Sequence, residues 1–245
     1  MATNELASRR TNAAARNGPS DLLAPLGDAG QGAAAQVRGA PRRVLCARCG
    51  RAQAACICGW IRPLAGEVAL LVLQHPLEVA NAKGSARLLQ LSVAGSVMAT
   101  GEQFDAAALA RLLYADGRTP LLLYPTLAEE RKLGVAAPPP LPDPLPQAGA
   151  LRLVVLDGTW RKSRKMLYLN PALHALPRLC LAAPPPSHYR IRKAHAPGQL
   201  STLEAACHAL ASIEGTPARY LPLLDAFDGL VDQLAARMGR QPADN

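Results

Sequence analysis

The stretch Leu151-Arg152-Leu153-Val154-Val155-Leu156, followed by Asp157-Gly158-Thr159-Trp160, decides how this chain is read. A short apolar run bounded by turn residues predicts a strand. The run stops at an acid, a glycine and a hydroxyl, then enters the basic segment Arg161-Lys162-Ser163-Arg164-Lys165-Met166. Open α/β sheets bind ligands just beyond the carboxyl ends of their strands, so the tetrapeptide has the form of a ligand site. An acid there can accept a proton or hold a donor group, and a glycine lets a ligand approach the backbone. The competing reading is a plain strand-to-helix turn, in which Asp157 or Thr159 caps a helix and Trp160 fills the core.

Outward from this stretch, strand and helix patterns alternate. Residues 67–73 are a second buried-strand run, broken by His75-Pro76. Residues 84–91 predict a helix and 95–100 a strand. Asp105 can cap an amphipathic helix over 106–114 that ends at Asp116-Gly117, and 120–125 is the next strand. On the far side, 160–169 reads as a helix stopped by Asn170-Pro171, and 176–181 as a strand. A helix begins near Ser201, where Ser201-x-x-Glu204 has capping-box spacing, and a final helix covers 221–238. The alternation predicts an α/β fold with a mostly parallel sheet covered by helices on both faces. The proline-rich stretch 137–147 reads as a polyproline connector within that domain. The chain then divides into a disordered tail at 1–40, a cysteine-rich segment at 41–62 and an α/β domain at 63–240. Arg9, Arg10 and Arg16 leave an organellar targeting segment as the alternative for the tail.

With 245 residues and only 4% aromatics, the chain can build one sizeable core, mostly aliphatic. The formal charge of +9 suggests a polyanionic partner, and its distribution says more. From 157 to 193, Arg161, Lys162, Arg164, Lys165, Arg178, Arg190, Arg192 and Lys193 stand against a single acid, Asp157. Such a run is either a solvated face or, beside a ligand turn, a contact for a phosphate backbone. No apolar run approaches the roughly 18 residues a membrane helix needs. Six cysteines, four of them between 46 and 58, do not resemble an extracellular disulfide framework, and a cytoplasmic location is expected.

Cys46-x-x-Cys49 and Cys56-x-Cys58 place four thiols close in sequence, the number zinc takes in a tetrahedral structural site. Reduced thiols, a redox pair or an iron–sulfur cluster are the alternatives. Cys180 and Cys207 read as core thiols. His75-Pro76-x-Glu78 and Tyr124-Pro125 each end a strand, at the edge where ligands bind, although a structural histidine and a simple chain reversal also explain them. A capping box accounts for Ser201 and Glu204 without a ligand, while the N–H groups of a helix start are also a good place for a carboxylate. His174, His188, His195 and His208 have no metal spacing. Neither a Gly-x-Gly-x-x-Gly loop nor a Gly-x-x-x-x-Gly-Lys-Ser/Thr loop follows any strand.

These landmarks stand in a particular order: Cys46-x-x-Cys49, Cys56-x-Cys58, His75-Pro76-x-Glu78, Tyr124-Pro125, Asp157-x-Thr159-Trp160, Tyr189-Arg190-Ile191-Arg192-Lys193 and Ser201-Thr202-Leu203-Glu204-Ala205. In that order the chain resembles the DTW-domain family, the tRNA-uridine aminocarboxypropyltransferases, over about residues 42–215. The resemblance implies a SPOUT-like arrangement with a C-terminal knot, plus a small N-terminal zinc-binding segment formed by Cys46, Cys49, Cys56 and Cys58. It implies transfer of the 3-amino-3-carboxypropyl group of S-adenosylmethionine to N3 of a tRNA uridine, releasing methylthioadenosine, with Asp157 as the catalytic residue. His75, Ser85, Tyr124, Pro125, Thr159, Trp160, Ser201, Thr202 and Glu204 are then expected at the S-adenosylmethionine site. Arg161, Lys162, Arg164, Lys165, Arg190, Arg192 and Lys193 are expected against tRNA. One departure is Lys83-Gly84-Ser85, where the family pattern suggests an Asn-Thr-type dipeptide; Ser85 is expected to supply the hydroxyl. An RNA methyltransferase on the same scaffold is the rival enzyme. A non-catalytic zinc-containing RNA-binding module is the other rival, and it leaves the polar strand ends at His75, Tyr124 and Asp157 unexplained. Neither a membrane nor a protein partner is expected.

Overall fold

The computed structural model describes residues 44–81, 83–126, 136–181, 186–187, 200–237 and 239. The tail expected at 1–40 lies outside them. Strands β1 (Ala69–Gln74), β2 (Val97–Thr100), β3 (Thr119–Leu123), β4 (Leu151–Asp157) and β5 (Arg178–Leu179) form one sheet in the order β2-β1-β4-β3-β5. Every pairing is parallel. The described helices are α1 (Ala86–Ser92), α2 (Ala106–Tyr114), α3 (Trp160–Leu169), α4 (Pro171–His174), α5 (Thr202–Glu214) and α6 (Pro217–Arg237).

All of β4 is buried, as a central parallel strand covered on both faces must be. Its alternate side chains divide the core. Leu151, Leu153 and Val155, with Leu70 and Val72 of β1, pack against α1, α5 and α6. Val154 and Leu156, with Leu71 and Leu73 of β1, pack against α2, α3 and α4. Arg152, near the start of this strand, is charged and buried. Its guanidinium donates to the carbonyls of Leu112 and Ala115, the orphan acceptors at the end of α2.

This topology locates the site. After β1 the chain enters α1 on one face, and after β4 it enters α3 on the other. β1 and β4 are neighbours, with β2 and β5 at opposite edges. A crevice therefore opens at the carboxyl ends of β1 and β4, the topological switch point of the sheet.

Two elements differ from the sequence reading. Only Arg178 and Leu179 pair with β3, so the strand expected over 176–181 is a short edge. Leu176 is apolar because it fills the core beside α2 and α3. Helix α6 starts at Pro217 and not near 221. Pro222 suggests a first turn because proline favours that position, but Pro217 occupies it and Pro222 lies inside the helix. The knot expected in the C-terminal part is not shown, and residues 182–185 and 188–199 there lie outside the described residues.

The cysteine segment shares the first core layer through Cys49, Ile57 and Ile61. Trp60 latches it to α6 by donating its indole N–H to Gln233 Oε1 at 2.7 Å. The ring lies so close to Gly229 that a Cβ there would meet it at 2.3 Å. Arg87 of α1 binds the segment from the other side, donating to the carbonyls of Arg48 and Cys49.

Candidate active site

Asp157 closes β4 beside Gln74, its register partner at the end of β1. The carboxylate is 5% exposed. Its Oδ2 accepts from Gln74 Nε2 at 2.9 Å and its Oδ1 from the Thr202 hydroxyl at 2.7 Å. A buried carboxylate requires such donors. Because each oxygen can accept more than one hydrogen bond, the group can still receive a donor from a ligand. Asp157 thus joins the ends of two strands to the first residue of α5. It does not cap α3. That cap is Thr159, whose hydroxyl accepts the Lys162 N–H at 3.4 Å. The capping part of the competing reading therefore holds for Thr159, whereas Trp160 is too exposed to fill the core. Gly158 sits in a tight place, since a Cβ there would lie 3.1 Å from Lys162 Cβ and the neighbour would have to shift.

His75 continues the ladder by donating its N–H to the Asp157 carbonyl at 2.9 Å. Its Nδ1 accepts the Leu77 N–H at 3.1 Å, which in a neutral ring puts the proton on Nε2, 2.9 Å from Glu102 Oε1. Glu102 also pairs with Lys165 at 2.9 Å. Lys165 and then His75 hold the Glu102 carboxyl below its usual range. Glu78 pairs with Lys162 at 2.7 Å and accepts from Asn81 at 2.7 Å.

These acids alter the reading of the basic run. Lys162 and Lys165, expected to face tRNA, are answered by Glu78 and Glu102, which are distant in sequence but adjacent in space. Arg178 is buried, donates to the Pro125 carbonyl and lies 5.5 Å from the centre of the Tyr124 ring. Arg161 and Arg164 are exposed. Arg190, Arg192, Lys193, His188 and His195 lie outside the described residues.

Two small clefts flank Asp157-Gly158. One, of about 90 Å³, is lined by Glu78, Lys83, Ser85, Asp157, Thr159 and Thr202 among others. The second, of about 100 Å³, is lined by Tyr124, Pro125, Trp160, Leu200, Ser201 and Thr202 among others. Trp160 is 45% exposed and sets its ring against the buried Tyr124 in an edge contact at 5.8 Å. Seven of the nine residues expected around S-adenosylmethionine border these clefts; His75 and Glu204 line neither. Glu204 completes the capping box, accepting the Ser201 N–H at 2.6 Å while Ser201 Oγ accepts the Glu204 N–H at 3.2 Å. Ser85 Oγ accepts the Leu203 N–H at 3.3 Å. The first turn of α5 is therefore largely satisfied by protein oxygens.

Gln74 and Glu102 had no role in the sequence reading. Gln74 could have been found by the rule that picked out Asp157, because it is a polar residue ending an apolar strand. Glu102 carries no local signal.

The four cysteines converge. Their sulfurs all lie within 4.8 Å of one another, with Cys46–Cys58 at 3.6 Å and Cys49–Cys56 at 3.8 Å. A tetrahedron with metal–sulfur bonds of about 2.3 Å has edges of about 3.8 Å, so the set fits one metal ion. Such spacing leaves no room for several irons between the sulfurs. Backbone N–H groups of Cys49 and Arg48 lower the Cys46 thiol to about 6. Desolvation and the neighbouring sulfurs push Cys58 up to about 12. Without a cation, the surrounding sulfurs make Cys58 hold its proton.

An all-parallel α/β sheet with a buried acid at its switch point and clefts on both sides defines a ligand-binding α/β protein of the kind that houses enzymes. The family model for the DTW domain matches residues 43–235, and the chain belongs to the DTW-domain family. It is 34% identical over 184 residues to tRNA-uridine aminocarboxypropyltransferase 2 of Drosophila melanogaster, covering 72% of this chain and 69% of that protein. It is 30% identical over 186 residues to the Mus musculus protein of the same name, covering 73% of this chain and 59% of the relative. No solved structure matches. Among the described residues, no helix is long and apolar enough to cross a membrane.

Proposed function

We propose that this protein transfers the 3-amino-3-carboxypropyl group of S-adenosylmethionine to N3 of a tRNA uridine. The names of its relatives support the reaction class. The observation that carries the reading here is the buried Asp157 carboxylate, held by Gln74 and Thr202 between two clefts. S-adenosylmethionine supplies an electrophilic side-chain methylene next to a sulfonium leaving group. The protein's task is then to position that methylene, and not the methyl, against the nucleophile.

The cleft of Tyr124, Pro125, Trp160, Ser201 and Thr202 suits the donor, because it offers an exposed aromatic ring and apolar walls. Its neighbour suits the uridine, with Asp157, Ser85 and Thr159 as hydrogen-bonding groups. Asp157 accepts the imide N–H and takes its proton as the N3–carbon bond forms and the carbon–sulfur bond breaks. The breaking bond leaves its electron pair on sulfur, giving methylthioadenosine. Gln74 and Thr202 fix the carboxylate, and His75 and Glu204 position the rim from behind. Arg161 and Arg164 face the RNA, joined in this reading by Arg190, Arg192 and Lys193. The same reading gives the four cysteines one structural zinc, the ion that four thiolates favour. Thiols that must stay reduced for this purpose go with a cytoplasmic location.

The test is the by-product. Incubation with tRNA and S-adenosylmethionine should yield methylthioadenosine and a 3-amino-3-carboxypropyl uridine, read by mass spectrometry. S-adenosylhomocysteine in its place would make the protein a methyltransferase. Absence of both products would leave a binding module.

A further inference from the structure

A third cavity, of about 350 Å³, lies between the cysteine segment and the carboxyl ends of β1 and β2. Unlike the two clefts, it falls within the roughly 300–1,000 Å³ usual for small-ligand sites. Arg51, Arg87, Gln74, Val79, Asn81 and Thr100 are among the residues lining it. It shares Glu78, Asn81 and Gly84 with the cleft beside Asp157, so the two are neighbours with a common wall. Gln74 borders the cavity while donating to Asp157 at 2.9 Å. An occupant would therefore sit one side chain away from the acid.

The lining selects by charge. Arg51 and Arg87 face Glu78, whose carboxylate is already paired with Lys162. Arg87 spends N–H groups on Arg48, Cys49 and Gln90. A guanidinium has five N–H donors, so it retains capacity for an anion. S-adenosylmethionine is cationic overall through its sulfonium and ammonium, and has one carboxylate to offer two arginines. A nucleotide is well matched, offering a phosphate to the arginines and polar base edges to Gln74 and Asn81.

We infer that this cavity receives a nucleotide of the RNA flanking the target uridine, making the metal-binding segment one wall of the RNA path. The inference rests on the proposed function and gives the cysteine segment a part in substrate recognition. Val79 suits a test, because it is 60% exposed at the cavity and its backbone N–H, not its side chain, makes the hydrogen bond to the Pro76 carbonyl. In the full-length protein, Val79→Glu and Val79→Lys place opposite charges at one position. Affinity for tRNA and for S-adenosylmethionine would be measured separately for each. Val79→Glu should weaken tRNA binding about three- to tenfold, the scale of one partly screened charge, whereas Val79→Lys should hold or tighten it. S-adenosylmethionine affinity should stay the same in both. Unchanged tRNA affinity in both variants, or equal losses in both, overturns the inference, and so does a loss confined to S-adenosylmethionine. In those cases wild-type activity still stands, so the functional reading survives. A wild-type protein that neither binds nor modifies tRNA would instead remove that reading, and the inference with it.

Discussion

The cysteine segment and the Asp157 rim are assembled by opposite means. The four thiols come from thirteen consecutive positions and meet through local turns, with latches at Trp60 and Arg87. The rim joins Gln74, Asp157 and Thr202, drawn from three distant parts of the chain, and strand register brings them together. A local motif too short for its own core depends on its docking and, in the proposed reading, on a metal. A site at strand ends inherits the rigidity of a buried sheet. Damage to the first should therefore appear as instability, and damage to the second as lost chemistry.

The hardest test of that contrast is Cys46→Ser combined with Cys49→Ser. Structural zinc sites are worth on the order of 10–16 kcal/mol in isolated peptides, so the variant should lose about one metal per chain and fold poorly. Elemental analysis and thermal unfolding would check this. Acidification should act in the same direction. The Cys46 thiol is lowered from its ordinary 9.0 to about 6, so the stability linked to its ionised form is complete above 9.0 and lost as pH falls through about 6. Bound metal moves that loss to lower pH. Full metal retention in the double variant would end the comparison.

Asp157→Asn should have the opposite profile. An amide can turn its oxygen toward Gln74 and its NH₂ toward the Thr202 hydroxyl, so the fold should survive with little change in melting temperature. Turnover should fall on the order of 10²–10⁴, the usual cost of losing a general base. Single-turnover assays alongside S-adenosylmethionine binding would separate chemistry from affinity. Normal turnover would reduce Asp157 to a positioning group.

Gly229→Ala sharpens the contrast by loosening the segment without touching a thiol. Alanine gains up to about 1 kcal/mol of helix propensity, but the new Cβ meets the Trp60 ring, and overpacking costs about 1–3 kcal/mol. A lower melting temperature with unchanged metal content is expected. The smallest effect concerns the basic run. Arg161→Ala with Arg164→Ala should flatten the salt dependence of tRNA binding by about one unit of slope per lost contact. Lys162→Ala should show less of this and more loss of stability, because it removes a cation paired with the buried Glu78.

Much of the fold was legible because each strand and helix signal is local. The helices at 106–114 and 160–169 have the bounds that their caps and stop residues suggest. Edge strand β5 was overread because apolar residues at 176 and 179 look alike in sequence, although only the latter joins the ladder. The acidic partners of the basic run were hidden for a related reason. Counting charges along the chain cannot see Glu78 and Glu102, which reach Lys162 and Lys165 across the crevice.

The sequence by itself determined the α/β alternation, the cysteine cluster and the acid at the end of its central strand, since periodicity, capping and turn chemistry act over a few residues. Only the tertiary structure decided that β1 and β4 lie side by side with their helices on opposite faces. That adjacency opens the crevice and supplies Gln74 to Asp157, and the same Gln74 borders the cavity beside the cysteine segment. Strand order is fixed by how the whole core packs, and no stretch of the chain encodes it alone.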